Sequence, residues 1–272
     1  MKLKLVNSKL VDILSSGDYK SVLFDFDHGL GDAIDFYSNV IPVLCKKFPG
    51  IFFAMKTYNG QDALFGDWSR HIEDCMFDLE IRVWFSCTEW DMSTDETKAE
   101  LCIREEFGLP AEKQAEKYRI PMAVANPLVG VHFFSTSCED VSCDEDIAHR
   151  LWNRILERGL IPIDTYFKTP NGKNVYEPWE WEDRTVSNIK PNAVTVCGLM
   201  KSLGGFAGIS SGNFWAALTM IHPKKILYIE TEFPVTKLTR LPVWSMKEYD
   251  EKIVDDWLDC CADTKNKYSK WV

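Results

Sequence analysis

The sequence predicts an α/β protein built as two units, each with a mostly parallel sheet, facing one another across a cleft. Three observations carry this prediction. Short apolar runs bounded by polar residues alternate with longer stretches of helical period, and strands joined through helices pair in parallel. The alternation runs through twice and is broken near 120–127, where "RIPMAVANPL" has the makeup of a linker. The 272 residues are 46% hydrophobic and include ten Trp, enough for two modest cores and too apolar for extended disorder. The break gives units of 1–124 and 125–245, with 246–272 as a closing helix and tail that can pack back on the first unit.

Each element follows from its pattern. Leu10–Leu14 reads as a short helix or a pairing segment, and "SVLFDF" (21–26) as a buried strand. Over 32–48, Ile34, Tyr37, Val40, Ile41, Leu44 and Phe48 fall on one helical face, with Pro42 placed to kink it. "IFFAMKTY" (51–58) and "IRVWFS" (81–86), the latter shortened by Arg82, are further strands. Ser93 or Thr94 can cap a helix over 95–107 that Gly108 stops. In the second half, "PLVGVHFFS" (127–135) is a strand, and Asp144–Arg158 a helix ended by Gly159. "LIPIDTY" is the next strand, and "AVTVCGLMKSLGGFAGISSGNFWAALTMIH" reads as helix, short strand, Gly-rich turn and helix. "KILYIE" is the final strand and 246–259 a closing helix. No internal repeat is present.

Composition narrows the function. A net charge of −10 and a pI near 5.1 oppose broad nucleic-acid binding, which depends on neutralising phosphates, although a local basic patch is compatible with them. Nine cysteines, odd in number and scattered, do not form a disulfide framework. Cys138 and Cys143 are close, but no partners stand at zinc-finger spacing, so the thiols are expected reduced and mostly buried, with no metal site. The first twenty residues are too polar for a signal peptide, and no apolar run is long enough to span a membrane. A cytoplasmic protein is expected.

Chemistry concentrates in "VLFDFDHGLGDAID" (22–35), which has two readings. An apolar strand followed by Asp-x-Asp resembles the opening of haloacid-dehalogenase-like phosphatases, with Asp25 as nucleophile and Asp27 as acid/base. His28 and Gly29 stand where that family has Gly and Thr, and no convincing late acidic pair follows, so Asp25 and Asp27 read equally as strand-end residues bonded to backbone. In the second reading, Gly29 and Gly31 make a turn into a helix, and Asp32 is held where it can take a proton from a hydroxyl. As an isolated motif, Asp32 reads more readily as a helix N-cap. A second strand–turn–helix adds weight: Ser210, Ser211, Gly212 and Asn213 open an apolar helix, and hydroxyls and N–H groups converging there suit a diphosphate. Ser135, Thr136 and Ser137, in a polar loop after a strand, suit phosphate oxygens or simply cap the next helix.

The order of these pieces resembles glycosyltransferase family 9, the ADP-heptose:lipopolysaccharide heptosyltransferases. "GLGDAIDFYSNVIPVL" resembles the family's opening motif, "VGVHFFSTS…DIAHRLWNRILERGLIPI" its first C-terminal-domain strand, loop and helix, and "LMKSLGGFAGISSGNFWAAL" its donor segment. "TKAELCIREEFGL" is similar to the helix before its domain crossover, and the likeness extends over most of 21–235. It implies a GT-B-like fold of two Rossmann-like domains, an N-terminal acceptor domain and a C-terminal nucleotide-sugar domain. It implies inverting, metal-independent transfer without a cofactor, from a nucleotide diphosphate sugar such as an ADP-sugar to the hydroxyl of a glycan or another acceptor. The family's base falls on Asp32, its donor Ser-Gly on Ser211 and Gly212, and its phosphate loop on Ser135 to Ser137.

The chain departs from the pattern in ways that bear on the donor. Ser210 replaces the family's Asp, Trp215 its His, and Glu139 and Asp140 stand where a basic residue is common. Lys168, Lys173, Arg184 and Lys201 are candidates to supply the missing cation. His28 is placed to meet acceptor hydroxyls or to serve the fold. Trp179 and Trp181 can stack on a base or tuck onto the core, and Glu180 or Glu182 can meet a ribose. A GT-B-like protein that binds a nucleotide or sugar without turnover is the competing class.

Overall fold

The computed structural model describes residues 2–4, 10–26, 28–57, 77–83, 85, 94–110, 126–135, 141–166, 179 and 193–262. The chain forms two compact units, Met1–Tyr118 with Thr236–Arg240, and Arg119–Val235 with Leu241–Val272.

In the first unit, β1 (Lys2–Lys4), β2 (Ser21–Phe26), β3 (Phe52–Lys56) and β4 (Leu79–Val83) form a parallel sheet in the order β1-β4-β2-β3. The first of these strands is not apparent in the sequence, and β4 starts two residues before the expected "IRVWFS". Val22, Leu23, Phe24 and Phe26 are buried, as a central parallel strand requires. Asp78 fixes the register at the strand's start by accepting the N–H groups of Lys20 (2.8 Å) and Ser21 (2.9 Å). Leu10–Leu14 belongs to a helix, α1 (Leu10–Ser16).

The expected single helix over 32–48 is a continuous helical run in three parts: α2 (Leu30–Asp35), a π-helical turn (Phe36–Val40) and α3 (Ile41–Lys47). Ile41 N–H reaches back five residues to the Phe36 carbonyl. Pro42 explains this locally: it has no N–H to give, and its ring crowds the carbonyl four residues earlier, so the turn widens instead of kinking. Phe36, the first residue of the π turn, is fully buried. Its ring lies 5.3 Å from Phe24, 4.9 Å from Phe26, 5.7 Å from Phe85 and 6.4 Å from Phe107.

Helix α4 (Lys98–Glu105) is capped by Thr97, not by Ser93 or Thr94. Glu100 N–H donates to Thr97 Oγ1 and Thr97 N–H to Glu100 Oε2, closing a capping box. Gly108 ends this segment at φ +60°, where a side chain is strained.

The second unit holds β5 (Leu128–His132), β8 (Ile161–Asp164), β9 (Gly205–Gly208), β10 (Ile226–Ile229) and β11 (Trp244–Met246), parallel in the order β11-β10-β9-β5-β8. "KILYIE" is therefore not the last strand; Trp244–Met246 adds an edge strand that ends at Met246, the residue expected to begin the closing helix. The strand expected over 127–135 divides, because Phe134–Ser135 (β6) leaves the sheet to pair antiparallel with Val141–Ser142 (β7). Helices α5 (Glu145–Glu157), α6 (Ala193–Met200) and α7 (Gly212–Met220) belong to this unit, and the short α8 (Val235–Leu238) follows β10. The core joins Val129, Val131, Trp152, Ile155, Leu227, Ile229, Trp257 and Leu258.

Helix α9 (Glu251–Ala262) contacts α5, β10 and β11 of its own unit. Arg154 forks onto Asp255 at 2.8 and 2.6 Å. Thr236–Arg240 belongs to the first unit. Cys102, Cys143, Cys197 and Cys261 are buried free thiols. Among the described residues no helix is long and apolar enough to cross a membrane.

Candidate active site

The loop leaving the carboxyl end of β2 enters α2 at Gly29, the N-cap. Leu30 and Gly31 fill the first helical positions and Asp32 the third, so Asp32 lies in the first turn and is not the cap. Gly29 has φ −63°, which any residue adopts, and a Cβ built on it meets nothing within 4 Å. The fold thus gives no packing reason for a glycine there, and the backbone stays open to close approach.

Asp32 Oδ1 accepts a 2.5 Å charge-assisted bond from Lys98 Nζ, with the carboxylate side chain 34% exposed and the lysine 10%. Lys98 is the first residue of α4, and its ammonium also lies 4.3 Å from the centre of the Phe85 ring. His28 Nε2 accepts the Phe85 N–H at 2.9 Å, so His28 carries a structural bond on this loop. One turn beyond Asp32, Asp35 is buried; Asn39 Nδ2 donates to its Oδ1 at 2.6 Å, while its Oδ2 has no hydrogen-bond partner among the described residues. Burial pushes the Asp35 carboxyl up to about 7, against the smaller opposing pull of Asn39 and Lys98.

In the second unit the carboxyl ends of β9, β5 and β8 lie side by side. Ser211 caps α7, its Oγ accepting the Phe214 N–H at 3.3 Å. The N–H groups of Gly212 and Asn213 open the helix beyond it, the arrangement that suits an anion. Asn213 is buried and binds across strand ends: its Nδ2 donates to the Thr165 carbonyl at 2.7 Å and lies 3.1 Å from His132 Nδ1. With the amide donating, His132 Nδ1 is the acceptor and the ring proton sits on Nε2. Burial drives the imidazole down to about 3, so it is neutral. Asn213 is therefore a strut holding the mouth of α7 to β5 and β8.

Ser135 is buried at the base of the β6–β7 hairpin, half-buried Ser210 precedes the cap, and Trp215 is buried within α7. Trp179 packs against Phe133 at 6.1 Å on the edge of the core, which supports its tucked reading over stacking on a ligand. Asp25 sits half-buried within β2 rather than beyond it, between strands β3 and β4. Asp27, Ser93, Thr136, Ser137, Glu139, Asp140, Lys168, Lys173, Glu180, Trp181, Glu182 and Arg184 lie outside the described residues. Lys98, His132 and Thr165 were not singled out in the sequence. The Lys98 pairing spans 66 positions, and no local pattern records it.

No protein-family model matches the sequence, and no curated protein matches it. Solved structures do. The chain is similar to the dodecameric iron-containing glycosyltransferase TibC of enterotoxigenic E. coli H10407, with TM-score 0.54, 14% identity, and 85% of this chain and 63% of TibC covered. The complex of TibC, a heptosyltransferase, with ADP-D-beta-D-heptose gives TM-score 0.55 at the same identity and coverage. A glycosyltransferase family 9 structure from Veillonella parvula DSM 2008 gives TM-score 0.52 at 12% identity, covering 92% of this chain and 93% of that one. The chain has the fold of these glycosyltransferases. It spans 63% of the length of TibC. TibC is iron-containing; among the described residues of this chain no three His, Cys, Asp or Glu side chains gather to hold a metal ion.

Proposed function

We propose that the protein is an inverting glycosyltransferase that moves a sugar from a nucleotide diphosphate sugar to an acceptor hydroxyl, with Asp32 as general base. The observation that carries the reading is a carboxylate in the first turn of the helix after a central parallel strand, ion-paired to Lys98 at 2.5 Å, in a chain with a glycosyltransferase fold. Ligands of parallel α/β sheets bind beyond the carboxyl ends of the strands, where both Asp32 and the mouth of α7 lie.

In this reading the acceptor O–H gives its proton to Asp32 as the oxygen attacks the anomeric carbon. The bond from that carbon to the diphosphate oxygen breaks, and the nucleoside diphosphate departs with the electron pair. The N–H groups of Gly212 and Asn213, with the Ser210 and Ser211 hydroxyls, stabilise the departing charge. The buried strut from Asn213 to Thr165 and His132 keeps those donors fixed, so they need no rearrangement as charge develops. Gly29 and Gly31 leave the backbone beside Asp32 approachable, and the Ser135, Thr136 and Ser137 hydroxyls are the candidates to meet the donor's phosphate oxygens. An ADP-sugar is the donor to test first, because TibC was solved with ADP-D-beta-D-heptose.

A nucleotide-binding protein without turnover is the second reading, favoured by Trp215, which is buried where the family's donor segment has His. A thermal-shift panel of ADP, GDP and UDP and their sugars, ADP-D-beta-D-heptose among them, followed by an assay of nucleotide release, separates the two. Asp32→Asn is expected to keep the donor's thermal shift and to lower turnover by about 100-fold or more. Wild-type turnover retained in Asp32→Asn removes Asp32 as the base. A wild-type protein that binds nucleotide and releases none from any sugar donor is the binding module instead.

A further inference from the structure

Lys98 occupies an awkward place. It is the first residue of α4, where the helix dipole disfavours a cation, and its side chain is nearly buried. Two features compensate: the Asp32 carboxylate at 2.5 Å, and the Phe85 ring 4.3 Å below the ammonium. The backbone carrying Lys98 is held from the other side. Glu100, within the same turn, closes the capping box with Thr97 and takes the Arg240 guanidinium with both oxygens, at 3.0 and 2.6 Å. Arg240 also donates to the Asp95 carbonyl, and Lys237 to the Thr94 carbonyl. The start of α4 is thus clamped by a segment far away in sequence, and the clamped residue points at the proposed base.

We infer that Lys98 is a positioning residue for Asp32: it holds the carboxylate through Oδ1 and so keeps it presented to an acceptor hydroxyl. The inference rests on the reading of Asp32 as the base. Among the described residues, the other titratable and charged groups near this pair include Asp35 from α2, Glu100, Cys102 and Glu106 from α4 and its end, and Arg240, which pairs with Glu100, from the returning segment.

The test compares wild type, Lys98→Met and Lys98→Arg, with Asp32→Asn to assign the signal. The side-chain rotamer of Asp32 is followed by NMR through its three-bond couplings. Wild type is expected to hold one rotamer, Lys98→Met to average over several, and Lys98→Arg to restore one. This readout needs no substrate. Nucleotide release from ADP-D-beta-D-heptose is then measured. Lys98→Met is expected to lower kcat by about tenfold or more, with the donor's Kd unchanged, and Lys98→Arg to recover part of kcat. Thermal unfolding of each variant shows whether it is folded; a Lys98→Met protein that unfolds leaves Lys98→Arg and Lys98→Gln to carry the same comparison. A single rotamer kept in a folded Lys98→Met or Lys98→Gln variant overturns the inference, whatever reaction the protein performs. A lost rotamer with no turnover of any nucleotide sugar by wild type keeps the pairing and sinks the glycosyltransferase reading alone.

Discussion

Asp35 shows how much a single position can cost. It sits one turn from Asp32, buried, and among the described residues one of its oxygens takes a hydrogen bond and the other takes none. Burial raises its carboxyl from 3.8 to about 7. Below about pH 4 both the folded and unfolded chains hold this proton. From there to pH 7 the unfolded chain releases it while the native state keeps it, so rising pH favours unfolding; above pH 7 the penalty is constant. Each unit of such a shift is about 1.4 kcal/mol, which sets a ceiling of about 4 kcal/mol. Asp35→Asn, nearly isosteric and always neutral, is expected to match or exceed wild type in stability, with the gap opening between pH 4 and pH 7 in urea unfolding. Parallel wild-type and variant curves across that range would contradict the assignment. At this scale the sequence exposed Asp32 through its glycines but hid its partner: the Asp32 motif is local, whereas Lys98 reaches it only after β3, β4 and α4 have formed. Asn213 was legible as part of a Ser-Gly-Asn mouth, and its role as a strut was not, since Thr165 and His132 come from other strands.

Among elements, β9 and α9 approach so closely that one glycine decides the packing. A Cβ on Gly205 would lie 2.3 Å from Cys261 Sγ and 3.2 Å from the Lys225 carbonyl. Gly205→Ala is expected to destabilise the second unit by about 1–3 kcal/mol, as overpacking a filled core does, and to lower Tm by several degrees. Adding Cys261→Ala, which removes the nearest atom, is expected to recover part of the loss; calorimetry of the single and double variants checks both, and no recovery would place the strain elsewhere. The strand–helix alternation was readable because each parallel strand is a short apolar run between polar ends. What escaped reading lay where tertiary context overrides the period. The π turn at Phe36–Val40 is set by Pro42, which has no N–H to give the regular helix. The α4 cap falls on Thr97, where Glu100 three residues on completes a capping box; Ser93 with Glu96 offers the same spacing in the sequence, so the local pattern does not choose between them. Strand β11 has only three residues and no alternation of its own.

At the scale of the whole molecule, the chain contributes to its first unit twice, by 1–118 and by the five residues Thr236–Arg240. The returning segment is fastened by charge. Glu100 is almost fully buried, with 3% of its side chain exposed, and Arg240 neutralises it through two bonds. A buried carboxylate deprived of its cation costs far more than the pair contributes when intact. Arg240→Gln is therefore expected to cost the first unit roughly 3 kcal/mol, because the buried Glu100 carboxyl loses the fork that offsets it. Arg240→Gln with Glu100→Gln removes the stranded charge, and glutamine still closes the capping box, so the double variant is expected to be more stable than the single. The two-unit division makes this prediction directional. Hydrogen exchange in Arg240→Gln should accelerate for the amides of α4, which the clamp holds, and stay as in wild type for α5 and α9, tied by Arg154 and Asp255 within the other unit. Equal acceleration in α4 and α9 would show the two units opening as one cooperative body and would refute the local role given to Arg240. Selective acceleration, with loss of a single Asp32 rotamer in the same variant, would trace a path from the returning segment through Glu100 and Lys98 to the proposed base.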